Sequence, residues 1–134
     1  MMGCRRKGTE VIRGIGIDVV DIARFGRKLE RTPALVDRLF AESERDRPLR
    51  SLAARFAAKE SLIKALGGRV DVRWHDMRVV QDELGNPDFD LSGSLGTCLA
   101  GLGIDRVHLS MSHDAGIASA FVVLEASEPN GTPG

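Results

Sequence analysis

The run from Val11 to Val20 constrains this chain most. It alternates like a strand and is rich in β-branched residues, yet carries two glycines and a carboxylate. One face bears Arg13, Ile15, Ile17 and Val19; the other bears Ile12, Gly14, Gly16, Asp18 and Val20. A carboxylate beside a sheet costs several kcal/mol if buried unpaired, so Asp18 must meet water, a donor or a cation. A place at an exposed strand end would satisfy it equally. Gly14-Ile15-Gly16 is not a dinucleotide fingerprint, because Val19 takes the third glycine position and the strand continues.

Beyond the strand, Asp21 can cap a helix running to about Arg31. Thr32-Pro33 ends it and opens a shorter helix with Leu35, Val36, Leu39 and Phe40 as its apolar side. Ser43 to Arg50 reads as a charged loop. Ser51 is the expected cap of a helix from Leu52 to Leu66 that stops at Gly67-Gly68. Strands are expected at Met77 to Gln81 and Asp88 to Leu91, around a turn at Leu84-Gly85-Asn86-Pro87, with a small helix from Ser94 to Leu102. Arg106 to Ser112 and Ile117 to Glu125 form strands joined by the hairpin His113-Asp114-Ala115-Gly116. The order β-α-α-α-β-β-α-β-β gives an α+β fold, an antiparallel sheet packed against helices. At 134 residues the expectation is one domain over 1–134, with 1–10 an extension and 127–134 a mobile tail.

The charge balance narrows function. Nineteen Lys plus Arg offset nineteen Asp plus Glu, which argues against a non-specific nucleic-acid binder. Five Phe, one Trp and no Tyr leave few platforms for stacking bases. No apolar stretch is long enough to span a membrane, and the basic start leads into Gly8-Thr9-Glu10 rather than an apolar signal core. Cys4 and Cys98 lie far apart, which suggests neither a disulfide framework nor a zinc cluster and fits a cytoplasmic, reduced protein. The sequon Asn130-Gly131-Thr132 carries little weight in such a compartment.

Three further features stand out. On the Leu52 to Leu66 helix, Leu52, Phe56 and Ile63 define an apolar stripe, and Glu60 falls about 40° from Phe56 and about 60° from Ile63. It borders the stripe, with Lys64 one turn on as its natural ion-pair partner. An ordinary helical pair explains it; so would convergence with Asp18 on a hard cation, since Asp plus Glu with open positions suits Mg2+. Arg24, Arg27, Lys28 and Arg31 form a basic ridge on the first helix, opposite Ile22, Phe25 and Leu29. Such a ridge is either a solvated face or a dock for an acidic partner. Finally, His108, Ser110 and Ser112 share a strand face, with His113 and Asp114 at its end. A Ser/His/Asp triad is not supported, because no nucleophile elbow surrounds either serine.

Three segments together resemble the 4′-phosphopantetheinyl transferase superfamily, in particular its short bacterial holo-[acyl-carrier-protein] synthase members. They are Gly14-Ile15-Gly16-Ile17-Asp18-Val19-Val20-Asp21-Ile22-Ala23-Arg24-Phe25, Arg55-Phe56-Ala57-Ala58-Lys59-Glu60-Ser61-Leu62-Ile63-Lys64-Ala65-Leu66-Gly67 and His108-Leu109-Ser110-Met111-Ser112-His113-Asp114. The likeness implies the family fold and a Mg2+-dependent transfer of phosphopantetheine from coenzyme A to a serine of apo-acyl carrier protein, serving fatty-acid or polyketide synthesis. Adenosine 3′,5′-bisphosphate would be the by-product. It implies that Asp18 and Glu60 hold the metal, that Glu60, Lys64 and Asp18 are catalytic, and that Arg55, His108, Ser110 and His113 bind coenzyme A. The ridge Arg24-Arg27-Lys28-Arg31 would grip the carrier. It also implies a homotrimer with sites between protomers. The chain departs from the family pattern at Asn86, where Lys or Arg is usual, at Ser61, where Ala is usual, and in a short Ser43 to Arg50 loop. Rival expectations are a non-catalytic carrier-binding subunit, which would not need the carboxylate pair, and a Mg2+-dependent phosphohydrolase, which would not need the ridge.

Overall fold

The computed structural model describes residues 10–68 and 72–127. The expected extension (residues 1–9), Cys4, the tail beyond Ser127 and the sequon lie outside the described residues. Two terminal assignments shift: Glu10 belongs to the first strand and Ser127 to the last.

The elements in order are β1 (Glu10–Asp21), α1 (Ile22–Arg31), α2 (Ala34–Leu39), a 3-10 turn (Glu42–Glu44), α3 (Leu49–Ala65), a second 3-10 turn (Trp74–Asp76), β2 (Val79–Gln81), β3 (Pro87–Phe89), α4 (Ser94–Gly101), β4 (Arg106–Asp114) and β5 (Ile117–Ser127). β5 is the middle strand of an antiparallel sheet β1-β5-β4, and β2 pairs antiparallel with β3. The fold is α+β as expected, with α3 laid across the sheet's inner face.

Alternation sets that face. Ala118, Ala120, Val122, Leu124 and Ala126 of β5 are buried beneath α3, while Phe121 points outward. The small residues leave room for a helix close to the sheet, and β1 goes further. A Cβ on Gly14 would sit 2.1 Å from the Ala65 carbonyl oxygen, and one on Gly16 would sit 1.9 Å from that of Ser61. The two glycines are therefore a helix-packing device. Ser61 adds a tie by donating to the Ala120 carbonyl at 3.0 Å, so its hydroxyl is used in the core.

Three local expectations fail for physical reasons. Alternation puts Ile12 on the face of Gly14, Gly16 and Val20, but the β1–β5 register slips between Ile12 and Gly14, and Ile12 is exposed. The extra residue of that bulge inverts the alternation on its N-terminal side. Ser51 does not cap α3, which begins two residues before it at Leu49. The Pro48 carbonyl accepts from the amides of Ser51 and Leu52, so a main-chain turn starts the helix and the Ser51 hydroxyl is free to meet Arg55. The Ser43 to Arg50 stretch is not simply a charged loop, because Glu44 is only 1% exposed.

Other boundaries hold closely. Asp21 caps α1, its Oδ1 accepting from the Arg24 amide at 2.9 Å. The β4–β5 hairpin closes through Ala115 and Gly116, with φ of 52° and 77°, the double left-handed turn that matches strand twist. Among the described residues no helix is long and apolar enough to cross a membrane.

Candidate functional site

Asp18 reaches its position by continuation of the glycine contacts. Gly14 lies against Ala65 and Gly16 against Ser61. Two strand residues advance about 6.6 Å and four helical residues about 6 Å, so the elements stay in step. The next inner-face residue, Asp18, falls one helical turn further toward the N-terminus of α3. Its partner across the sheet is Ala120, which leaves space around the carboxylate.

Lys64 leans back toward the N-terminus of α3, the usual direction for a helical side chain. Its Nζ donates to Asp18 Oδ1 at 3.0 Å and to the Ile17 carbonyl at 2.9 Å. Among the described residues, the partner of Lys64 is thus Asp18 and not the Glu60 that helical spacing suggested. Glu60 is half-buried with no cation of its own in the described set of ion pairs. Burial raises its proton affinity, the nearby Asp18 charge raises it further, and Lys64 only partly offsets both. The structure therefore brings Asp18, Glu60 and Lys64 together at one edge of the inner face.

This arrangement fits a hard divalent cation. The donors are carboxylate oxygens, and the Asp18 charge adds to burial in pushing up the proton affinity of Glu60. Among the described residues no cluster of three or more His, Cys, Asp or Glu occurs; a cation held by Asp18 and Glu60 would complete its shell with water or a phosphate oxygen.

Arg55 and His113 meet elsewhere. They line a cleft of about 220 Å3 with Arg50, Ser51, Gln81 and Met111. Arg55 and Glu60 are five residues apart on α3, or about 140° around its axis, so the cleft and the carboxylate pair face different ways. His108 and Ser110 do not join Arg55 and His113. Both lie on the sheet's outer face, where His108 Nε2 is 2.8 Å from Glu125 Oε1 and Ser110 is paired with Phe121. Met111, Ser112 and His113 reach the cleft at the end of β4, whereas His108 and Ser110 lie farther back along the strand on its outer face.

On α1, Phe25 is buried while Arg24, Arg27, Lys28 and Arg31 are all exposed. Among the described residues none of the four has an ion-pair partner. Phe25 stacks on Phe56 at 4.9 Å between centroids, which fixes α1 beside the turn of α3 that carries Glu60.

One cluster escaped sequence reasoning. Lys59 is fully buried, and its Nζ donates to Glu44 Oε1 at 2.7 Å, the Leu39 carbonyl at 3.0 Å and the Trp74 carbonyl at 3.2 Å. Glu44 also accepts from the amides of Ala41 and Val79. Arg55 approaches it at 3.7 Å. Burial lowers the proton affinity of Lys59 while Glu44 opposes that loss. Lys59 spends all three donors inside the fold, so it holds α3 in place and is unavailable for chemistry.

A fold of this kind, with a carboxylate pair and a lysine at a helix–sheet edge, matches a known family. The model of the 4′-phosphopantetheinyl transferase superfamily matches residues 14–118, and the chain belongs to that family. It is a transferase. The holo-[acyl-carrier-protein] synthase of Clavibacter michiganensis subsp. michiganensis is 62% identical over 119 residues, covering 89% of this chain and all of that protein. Among solved structures, the holo-[acyl-carrier-protein] synthase of Neisseria meningitidis superposes with a TM-score of 0.78 at 34% identity, covering 85% of this chain and 98% of that one. The Helicobacter pylori enzyme, solved in complex with coenzyme A, gives 0.71 at 32% identity and covers 82% and 98%.

Proposed function

We propose that this chain transfers the 4′-phosphopantetheine arm of coenzyme A to a serine of apo-acyl carrier protein, releasing adenosine 3′,5′-bisphosphate, with Mg2+ held by Asp18 and Glu60. The observation that carries this reading is the convergence of Asp18, Glu60 and Lys64 beside a helix whose four cations have no ion-pair partner among the described residues. When bound, the dication supplies charge neutralisation at the pyrophosphate oxygens. The serine oxygen forms a bond to the β-phosphorus, and the bond from that phosphorus to the bridging oxygen breaks. The bisphosphate leaves with the electron pair. Glu60, with its raised proton affinity, is suited to take the serine proton. Lys64 sets a second positive centre beside the phosphates, and Asp18 holds that ammonium in place. Arg55 and His113 bind the nucleotide phosphates. His108 and Ser110, being on the other face of their strand, are left out of this subsite.

The ridge on α1 is the dock for the acidic carrier. Incubation with Mg2+, coenzyme A and apo-carrier should raise the carrier's mass by one phosphopantetheine arm. Binding without modification would favour a non-catalytic subunit, and loss of coenzyme A without carrier would favour a hydrolase. Charge reversal at Arg24 and Arg27 should raise the carrier KM at least tenfold and leave that for coenzyme A within about twofold, because charge complementarity acts mainly on encounter. Equal effects on both would remove the docking role.

The opposed orientations of the Arg55 cleft and the Asp18–Glu60 edge are reconciled if protomers form a closed ring, each cleft abutting the next protomer's carboxylates. Ile15, Ile17 and Val19 are each about 60% exposed, and Phe121 joins them in one apolar row on the outer face. A row of that kind supports an interface between protomers on this face. Sedimentation should report a trimer, and Ile17→Asp should dissociate it with loss of activity; an intact, active trimer in that variant would contradict the shared site.

A further inference from the structure

We propose that Arg50 is a specificity residue for the substrate, supplying the outer cation of a seat for the ribose phosphomonoester of coenzyme A. This rests on the proposed transferase reading. There the pyrophosphate lies at Asp18 and Glu60, leaving the phosphomonoester as the other phosphate to be placed.

The buried charges beside the cleft do not balance. Lys59 and Arg55 bring two positive charges and Glu44 one negative, and all three side chains are 2% exposed or less. Glu44 is already engaged by Lys59 and by two main-chain amides. The Nε of Arg55 is buried and has no acceptor, and its distance to Glu44 is too long for a hydrogen bond. An excess positive charge, held by Arg55, therefore stands at the cleft wall. Burial and the charge of Arg47 both disfavour that cation, against the pull of Glu44. An anion in the cleft would relieve it.

Arg50 lines the same cleft and is exposed, with no ion-pair partner among the described residues. It lies in the first turn of α3, which contains no acidic residue. A cation there opposes the helix dipole, and an anion bound at the start of α3 would be attracted by both. The facing wall supplies no cation. It is the β2–β3 loop with Gly85 and Pro87, and the amide of Asn86 is turned onto Asp82 at 3.3 Å. Among the described residues no carboxylate lines the cleft. Arg50 is thus the cation placed to close over a phosphate that Arg55 receives from within.

The test measures calorimetric binding of adenosine 3′,5′-bisphosphate and adenosine 5′-monophosphate to the full chain and to Arg50→Gln, Arg50→Lys and Arg55→Gln. It adds the KM for coenzyme A and for its dephospho form. Arg50→Gln should weaken the bisphosphate roughly tenfold, one charge-assisted contact at a partly hydrated site, and leave the monophosphate within about twofold. Arg50→Lys should restore part of the loss. The KM for coenzyme A should rise in parallel while that for the dephospho form stays unchanged. Equal weakening of both nucleotides, or none, overturns the role of Arg50. If Arg55→Gln still loses the bisphosphate preference, the cleft reading survives without Arg50. If neither variant changes it, the cleft is not the nucleotide seat and both fail. A near-ultraviolet spectrum matching the parent shows that each variant is folded.

Discussion

Glu60→Gln and Asp18→Asn should each lower transfer roughly a thousandfold or more while the chain still folds. Each withdraws a negative donor from the pair that would hold the metal. Several kcal/mol of charge stabilisation depend on it, and each 1.4 kcal/mol is about tenfold in rate. Stability should separate the two variants. Glu60 has a folded-state proton affinity raised by burial and by Asp18. The stability its protonated form contributes is complete below the unfolded carboxyl pKa and is lost as pH rises through the higher folded value. Glu60→Gln should therefore melt above the parent at pH 7 without Mg2+, and the gap should close by about pH 4, the unfolded range of a Glu side chain. Asp18→Asn gains less, because it gives up its 3.0 Å contact with Lys64. Added Mg2+ should raise the parent's melting temperature increasingly as pH climbs through the Glu60 titration, and should not move Glu60→Gln. Transfer near the parent rate in either variant would remove the metal assignment; a melting gap that persists at pH 4 would remove the electrostatic one.

The strand carrying Asp18, the ridge on α1 and the β4–β5 hairpin were all legible because each rests on local periodicity or turn chemistry. Asp18 and Glu60 stood out as carboxylates on the borders of apolar faces, and the fold brings them together. What failed depended on long-range geometry. The bulge near Arg13 leaves no local signature, so Ile12 was assigned to the wrong face. Helical spacing paired Lys64 with Glu60, but the ammonium finds a strand carbonyl and Asp18 from the other end of the chain. The resemblance grouped His108 and Ser110 with His113, and the fold places the first two on the outer face of the sheet, away from the Arg55 cleft. The buried Lys59 was legible in part. It lies about 20° from Leu52 on the α3 wheel, inside the apolar stripe, where an ammonium cannot remain without a counter-charge. The partner could not be named, since Glu44 sits in a stretch that reads as a charged loop and is buried only because 3-10 geometry turns it inward.

The same cluster yields the largest expected loss of stability. Glu44→Gln removes the one negative charge shared by Lys59 and Arg55, and both cations stay in the interior. Breaking a buried pair by removing one partner typically costs about 3–5 kcal/mol, and Glu44→Gln should reach that range in urea unfolding at fixed protein concentration. Lys59→Met should cost less. Arg55 and the amides of Ala41 and Val79 still face the carboxylate, but the Leu39 and Trp74 carbonyls each lose a donor. Combining the two changes should cost clearly less than the sum of the single losses, because the second removes a charge the first left uncompensated. Strict additivity would mean that Glu44 and Lys59 do not interact across the core. The loss should also reach activity. Lys59 ties α3 to the end of α2 and to the turn at Trp74, and α3 carries Arg55, Glu60 and Lys64. At temperatures where Lys59→Met is still folded, a raised KM for coenzyme A with a smaller fall in kcat would show that the tie sets the cleft more than the carboxylate edge.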